Sequence, residues 1–118
     1  MTKSPAQLNA DIKEAIADAL RRKPKKMPLA VKTAIETLLM EFIAASYRHH
    51  ANVGGKEPCL TVGLLTDYLR QAHMPEDFRY ALKEQQRTWT RSVLEAMRRQ
   101  GKIGSSFGAR ARCYEPAR

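Results

Sequence analysis

The sequence offers no apolar run able to cross a bilayer. Its most apolar stretch, residues 38–45, is broken by Glu41 and falls far short of the ~20 residues a spanning helix needs. No secretory apolar core follows Met1-Thr2-Lys3-Ser4-Pro5, so the expected setting is the cytoplasm, with no membrane partner. Cysteine is scarce as well. Cys59 and Cys113 are the two thiols of the chain, they lack CxxC spacing, and without an export signal they are expected to stay reduced. Catalytic constellations are missing: no nucleophile is paired with a base, no glycine loop can cradle phosphate, and no acid pair has a readable context, which argues against an enzyme. His49, His50 and His73 have no carboxylate or thiol at ligand spacing, and two adjacent histidines aim poorly at one ion, so neither metal nor cofactor is expected. Nothing in the sequence marks a ligand pocket.

Acid is the charge in short supply. The 118 residues hold 21 Lys and Arg against 12 Asp and Glu, for a net charge of +9. Residues 1–28 carry seven bases against three acids and residues 29–60 three against three, while residues 61–86 carry three against four and residues 87–118 eight against two. Basic ends around a neutral middle point to local contact with a polyanion, and nucleic acid is the first candidate. The length and the 43% hydrophobic content suit one folded domain with a single core.

Ser4-Pro5-Ala6-Gln7 reads as a helix start, with Ser as the cap and Gln closing a capping box. Leu8, Ile12, Ile16 and Leu20 follow at intervals of four, a narrow apolar stripe that must pack on its own core or on a second copy as a homodimer. A basic linker with Pro24 and Pro28 ends this unit at residue 28. Its Lys23, Lys25 and Lys26 read first as a solvated spacer, with a DNA arm as the alternative. From residue 29, Val31, Ile35, Leu38, Leu39, Phe42, Ile43 and Tyr47 keep helical spacing, and this helix is predicted to stop before Asn52. Cys59-Leu60 reads as a very short strand. Thr61 is placed to cap a helix whose Leu64, Leu65, Tyr68 and Leu69 share a face and which ends near His73. Pro75-Glu76-Asp77 signals a further short helix with Phe78, Ala81 and Leu82 inward, either separate or continuous with the next segment.

At about 100° per residue, residues 87–100 sort into two arcs. Trp89, Val93, Leu94, Ala96 and Met97 face a core, while Arg87, Thr88, Arg91, Ser92, Glu95, Arg98 and Arg99 fill the outer arc. Taken alone, that arc equally fits a solvated face in which Glu95 pairs with Arg91 and Arg99. Trp89 reads as core in preference to base stacking. Gly101 reads as a left-handed cap, followed by two alternating strands, residues 102–106 and 110–114, joined at Phe107-Gly108-Ala109. A period of two sends Arg110, Arg112 and Tyr114 to one side and Ala111 and Cys113 to the other, with the small groups expected inward and the two guanidinia projecting. Tyr114 fits either a phosphate contact or packing at the hairpin base.

This order of elements, a capped helix, a helix leading into Gly101-x-Ile103 and then a basic hairpin, resembles the bacterial winged-helix DNA-binding domain. The likeness spans residues 29–116, and its specific part is residues 87–116. It implies a mainly α fold with a small β-hairpin wing, a winged helix-turn-helix at residues 29–118 preceded by the amphipathic helix and linker of residues 1–28. Residues 87–100 become the recognition helix and residues 102–114 the wing. The likeness further implies that Cys59 and Cys113 are near neighbours in space; buried, unreactive thiols are the default reading of each. Residues 73–86 depart from it, being longer than the tight turn many members have there.

By that resemblance Arg87, Thr88, Arg91 and Ser92 reach base edges in the major groove of double-stranded DNA, and Arg98, Arg99 and Lys102 take phosphates. Arg110 and Arg112 grip the backbone or an adjacent minor groove. The implied role is a small transcriptional regulator or a plasmid or phage accessory factor, cytoplasmic and nucleoid-associated when bound. A module using its basic face on an acidic protein partner is the competing reading. An RNA binder ranks behind both, for lack of aromatic stacking motifs.

Overall fold

Val31, Ile35, Leu39 and Ile43 recur four residues apart, which winds them onto one side of a long helix, α2 (Leu29–Val53), where all four are buried. The computed structural model describes residues 9–15, 26–108 and 111–117. Among these, α1 (residues 9–15), α2, α3 (Val62–Gln71), α4 (Glu76–Arg79) and α5 (Lys83–Arg99) precede an antiparallel hairpin of β1 (Ile103–Phe107) and β2 (Arg112–Pro116). The protein is therefore mainly helical with a small two-stranded hairpin. In α1, Ile12 is exposed, whereas Leu8, Ile16 and Leu20 lie outside the described residues, as do Lys23, Lys25 and Arg110.

One core joins these parts: α2 touches α3, α5 and β2, and its stripe meets Leu65, Leu69, Phe78, Trp89, Leu94, Met97 and Tyr114. Trp89 is buried there as the sequence suggested. The Phe42 and Tyr68 rings stack with centroids 4.1 Å apart, which ties α2 to α3. α2 outlasts its expected stop by two residues, closing on Gly54 at φ 78° with the Gly54 amide donating to His50 O.

Thr61 caps α3 as its position predicts, its hydroxyl accepting from the Leu64 amide at 3.2 Å. The helix ends at Gln71, before His73, and it turns Leu64 outward rather than into the face shared by Leu65 and Leu69. Pro75 opens α4, a single turn whose Phe78 is fully buried; Ala81 is half-buried and Leu82, expected inside, is exposed. α4 does not run on into α5. Leu82 is extended (φ −61°, ψ 148°), and α5 restarts at Lys83, a turn before the expected Arg87. Buried Gln86 holds this break together: its amide donates to Phe78 O at 2.7 Å, and its carbonyl accepts from Arg70 Nε at 2.8 Å.

Gly101 terminates α5 at φ 75°, with its amide donating to Arg98 O and the Lys102 amide to Met97 O. The turn delivers Ile103 into the core and starts the hairpin, in which Ile103 faces Pro116 and Phe107 faces Arg112. Leu60 adds a single bridge on the other edge of β2, the Tyr114 amide donating to Leu60 O at 2.8 Å. Cys59 and Cys113 precede the two residues of that bridge and lie diagonally across it. The two cysteines are joined as a disulfide, Cα atoms 4.9 Å apart, which corrects the expectation of reduced thiols. Among the described residues no helix is long and apolar enough to cross a membrane.

Candidate functional site

The outer arc of α5 is built by default: six of its side chains, Gln86, Trp89, Thr90, Val93, Leu94 and Met97, are committed to the interior. Thr90 keeps its buried hydroxyl satisfied by donating to Gln86 O at 2.7 Å. Of the rest, Arg87, Thr88, Arg91, Ser92 and Arg99 are exposed, and Gln85, Glu95, Ala96 and Arg98 are half-buried.

Glu95 sits in the middle of this arc and does not pair with Arg91 or Arg99. It accepts instead from Arg98, with Nε at 3.1 Å and Nη2 at 2.8 Å, and from the hydroxyl of Tyr114 on β2 at 2.7 Å. Arg112 Nε lies 3.8 Å from the same carboxylate. One acid thus gathers two guanidinia and a phenol from two elements, and pins the hairpin against the outside of α5.

This corrects the expected placement of three side chains. Arg112 does not project: its guanidinium donates to Ser105 Oγ at 3.1 Å and stacks 4.7 Å from the centroid of the Phe107 ring, besides facing Glu95. Arg98 is half-buried and ion-paired rather than free on the surface. Lys102 is bridged to Glu36 of α2. The period of two grouped Arg112 with Tyr114 correctly, but the Tyr114 side is the buried one, and Cys113 and Glu115 are buried too. Lys26 lies apart from the arc, beside Trp89, Tyr80 and Leu82 in a separate surface cleft.

Hydrogen bonds from Tyr114 and Arg98 hold the Glu95 carboxyl below the usual carboxylate range, against the opposing effect of its partial burial. Burial, and next the hydrogen bond to Glu95, push the Tyr114 phenol from 10.0 up to about 12. A folded pKa above the unfolded one means stability that is intact below pH 10 and lost as pH climbs toward 12. We expect one of the four tyrosines to ionise near pH 12 in an ultraviolet titration, accompanied by loss of folded signal, and Tyr114→Phe to remove that component. Four tyrosines all titrating near pH 10 in the folded protein would contradict this.

A group that sequence reasoning missed lies at the other end of α5. Arg70, Arg79 and Lys83 line one cleft of about 430 Å³ with Phe78, Tyr80 and Gln86. They stand 9 and 4 residues apart in a segment with more acids than bases, so neither spacing nor charge count singles them out. Among the described residues no group of three or more His, Cys, Asp or Glu could hold a metal ion. In comparisons with known proteins, no protein-family model, no curated protein and no solved structure matches the chain.

Proposed function

We propose that this chain binds double-stranded DNA in the manner of a winged-helix protein, as a small transcriptional regulator or a plasmid or phage accessory factor. In this reading α5 enters the major groove and the hairpin lies against the backbone or an adjacent minor groove. One observation carries it: Glu95 joins Arg112 of the hairpin to the outer arc of α5, so cations of both elements line the same flank. Arg91 stands four residues, about 6 Å of rise, before that junction.

Arg87 and Arg91 are exposed on the second and third turns of α5, suited to bidentate bonds with guanine O6 and N7. Thr88 and Ser92 offer hydroxyls to other base edges or phosphates, and Arg99 a phosphate contact. Arg98, Arg112 and Lys102 already have acid partners and serve as oriented charge. A homodimer formed through α1 would present two such helices to half-sites about 34 Å apart.

Selection of bound fragments from random duplex, followed by a salt titration, tests the reading. Log affinity falls with log salt by about 0.9 for each phosphate neutralised. Arg91→Ala is expected to cost about 1 to 3 kcal/mol of affinity and to relax sequence choice, measured by fluorescence anisotropy on the selected site. Equal duplex affinity in the wild type and an Arg87→Ala/Arg91→Ala/Arg99→Ala variant eliminates it, and leaves an acidic protein as the partner to seek.

A further inference from the structure

Residues 61–86 contain three bases, Arg70, Arg79 and Lys83, and four acids, Asp67, Glu76, Asp77 and Glu84. All three bases line the cleft where α3, α4 and α5 meet, and none of the four acids does. A segment that is close to neutral by count therefore presents all its bases and none of its acids to this cleft, with Asp67 bonded to Arg70 from outside it. Gathering like charges around a concave surface concentrates positive potential there, and a bound anion relieves the repulsion.

The three cations differ in freedom. Arg70 is held in place by donating from Nε to Gln86 Oε1 at 2.8 Å, from Nη2 to Lys83 O at 3.4 Å and from Nη1 to Asp67. Three of the five N–H donors of a guanidinium are so used, which leaves two for a ligand. Its partner Asp67 is largely solvent-exposed and outside the cleft, so it offsets only part of the charge. Among the described residues Arg79 and Lys83 enter no ion pair. Arg79 packs 5.7 Å from the centroid of the Tyr80 ring, which is itself 77% exposed and forms a wall of the cleft. The parts are one fixed guanidinium, two free cations and an open aromatic face.

We propose that this cleft is a binding site for a phosphate ester, and that the phosphate belongs to the backbone of the nucleic acid held by α5. The second half of this inference rests on the DNA-binding reading above. Lys83, Arg87 and Arg91 follow one another at four-residue steps along α5, each about 6 Å further on, so a strand lying across Arg87 passes the mouth of the cleft. The extra turn α4, which supplies Arg79 and sets Tyr80 at its end, then works as a backbone clamp beside the reading helix.

The full-length chain and an Arg79→Ala/Lys83→Ala variant are compared on a labelled duplex across a range of salt concentrations. Both side chains are exposed, and circular dichroism and thermal melting verify that the variant folds. Loss of two phosphate contacts is expected to reduce the slope of log affinity against log salt by about 1.8, at about 0.9 each, with sequence preference unaltered. Calorimetric titration with adenosine monophosphate forms the second arm. Saturable binding by the wild type that the variant lacks, alongside an unchanged duplex slope, assigns the cleft to a free phosphate ester instead of the backbone. No difference between wild type and variant in either arm overturns the site. An Arg87→Ala/Arg91→Ala variant run in parallel keeps the two readings apart. If it alone loses duplex binding, the DNA reading stands and the clamp falls. If neither variant changes duplex binding, the DNA reading falls and the cleft is judged on the mononucleotide alone.

Discussion

Opening the Cys59–Cys113 bridge is expected to lower stability by about 4 kcal/mol, the chain-entropy value for a loop of 54 residues. That is a large share of the roughly 5 to 15 kcal/mol by which a domain of this size is folded. The loop it closes contains α3, α4, α5 and β1, so the bridge restrains every element that carries the candidate site. The backbone at Gly108 lies against it: a Cβ there would come within 3.0 Å of Cys113 Sγ and 3.4 Å of Cys59 Sγ. Reduction therefore loosens the far end of the hairpin as well as the unfolded chain's constraint. Urea unfolding with and without a thiol reductant measures the effect, and a thiol assay counts none before reduction and two after. A Cys59→Ala/Cys113→Ala variant should reproduce the reduced protein's midpoint. An unfolding midpoint indifferent to complete reduction would show that the bridge contributes nothing.

Partners 54 residues apart leave no local trace, so only the resemblance placed Cys59 and Cys113 near one another, as they are, and the bond between them was not foreseen, whereas features fixed within a turn or two were readable. Four-residue apolar spacing located α2, a hydroxyl before an apolar run located the Thr61 cap, and a lone glycine after Arg98-Arg99-Gln100 located the left-handed stop. Orientation is a tertiary property and was legible only in part. Alternation pairs Arg112 with Tyr114 but is silent on which side faces the body. The larger apolar area of the tyrosine ring wins the interior, and Arg112 goes with it. Leu60 on one edge and β1 on the other leave β2 so enclosed that Cys113, Tyr114 and Glu115 are all buried, and alternation fails there. The Arg70, Arg79 and Lys83 cleft was hidden for a similar reason. A turn after α3 and a break at Leu82 fold three dispersed cations together.

Glu95 separates the demands of folding from those of the proposed DNA-binding surface, and its substitution should move them in opposite directions. Glu95→Ala strands the buried Tyr114 hydroxyl and releases Arg98 and Arg112, for an expected loss of about 4 kcal/mol: about 1 to 3 for the unsatisfied phenol and the rest for the charge-assisted bonds. Glu95→Gln keeps a carbonyl for the phenol while removing the charge, so about half of that loss is expected in urea unfolding. The carboxyl titrates below its unfolded value, so its contribution is complete above pH 4.5 and disappears as pH falls through the lowered folded value. The wild type should therefore lose stability in that acid window more steeply than Glu95→Gln. Polyanion binding changes the other way. Deleting the single acid at the centre of the arc frees about one cation for a phosphate, which at 0.1 M salt is worth on the order of tenfold in duplex affinity, from a slope of about 0.9 per contact. Glu95→Gln should thus be less stable and bind duplex more tightly, with the largest gain at low salt. Weaker duplex binding by the folded variant would mean that Arg98 and Arg112 must be held by Glu95 to be useful, and unchanged binding that the flank they share is not where the polyanion lies.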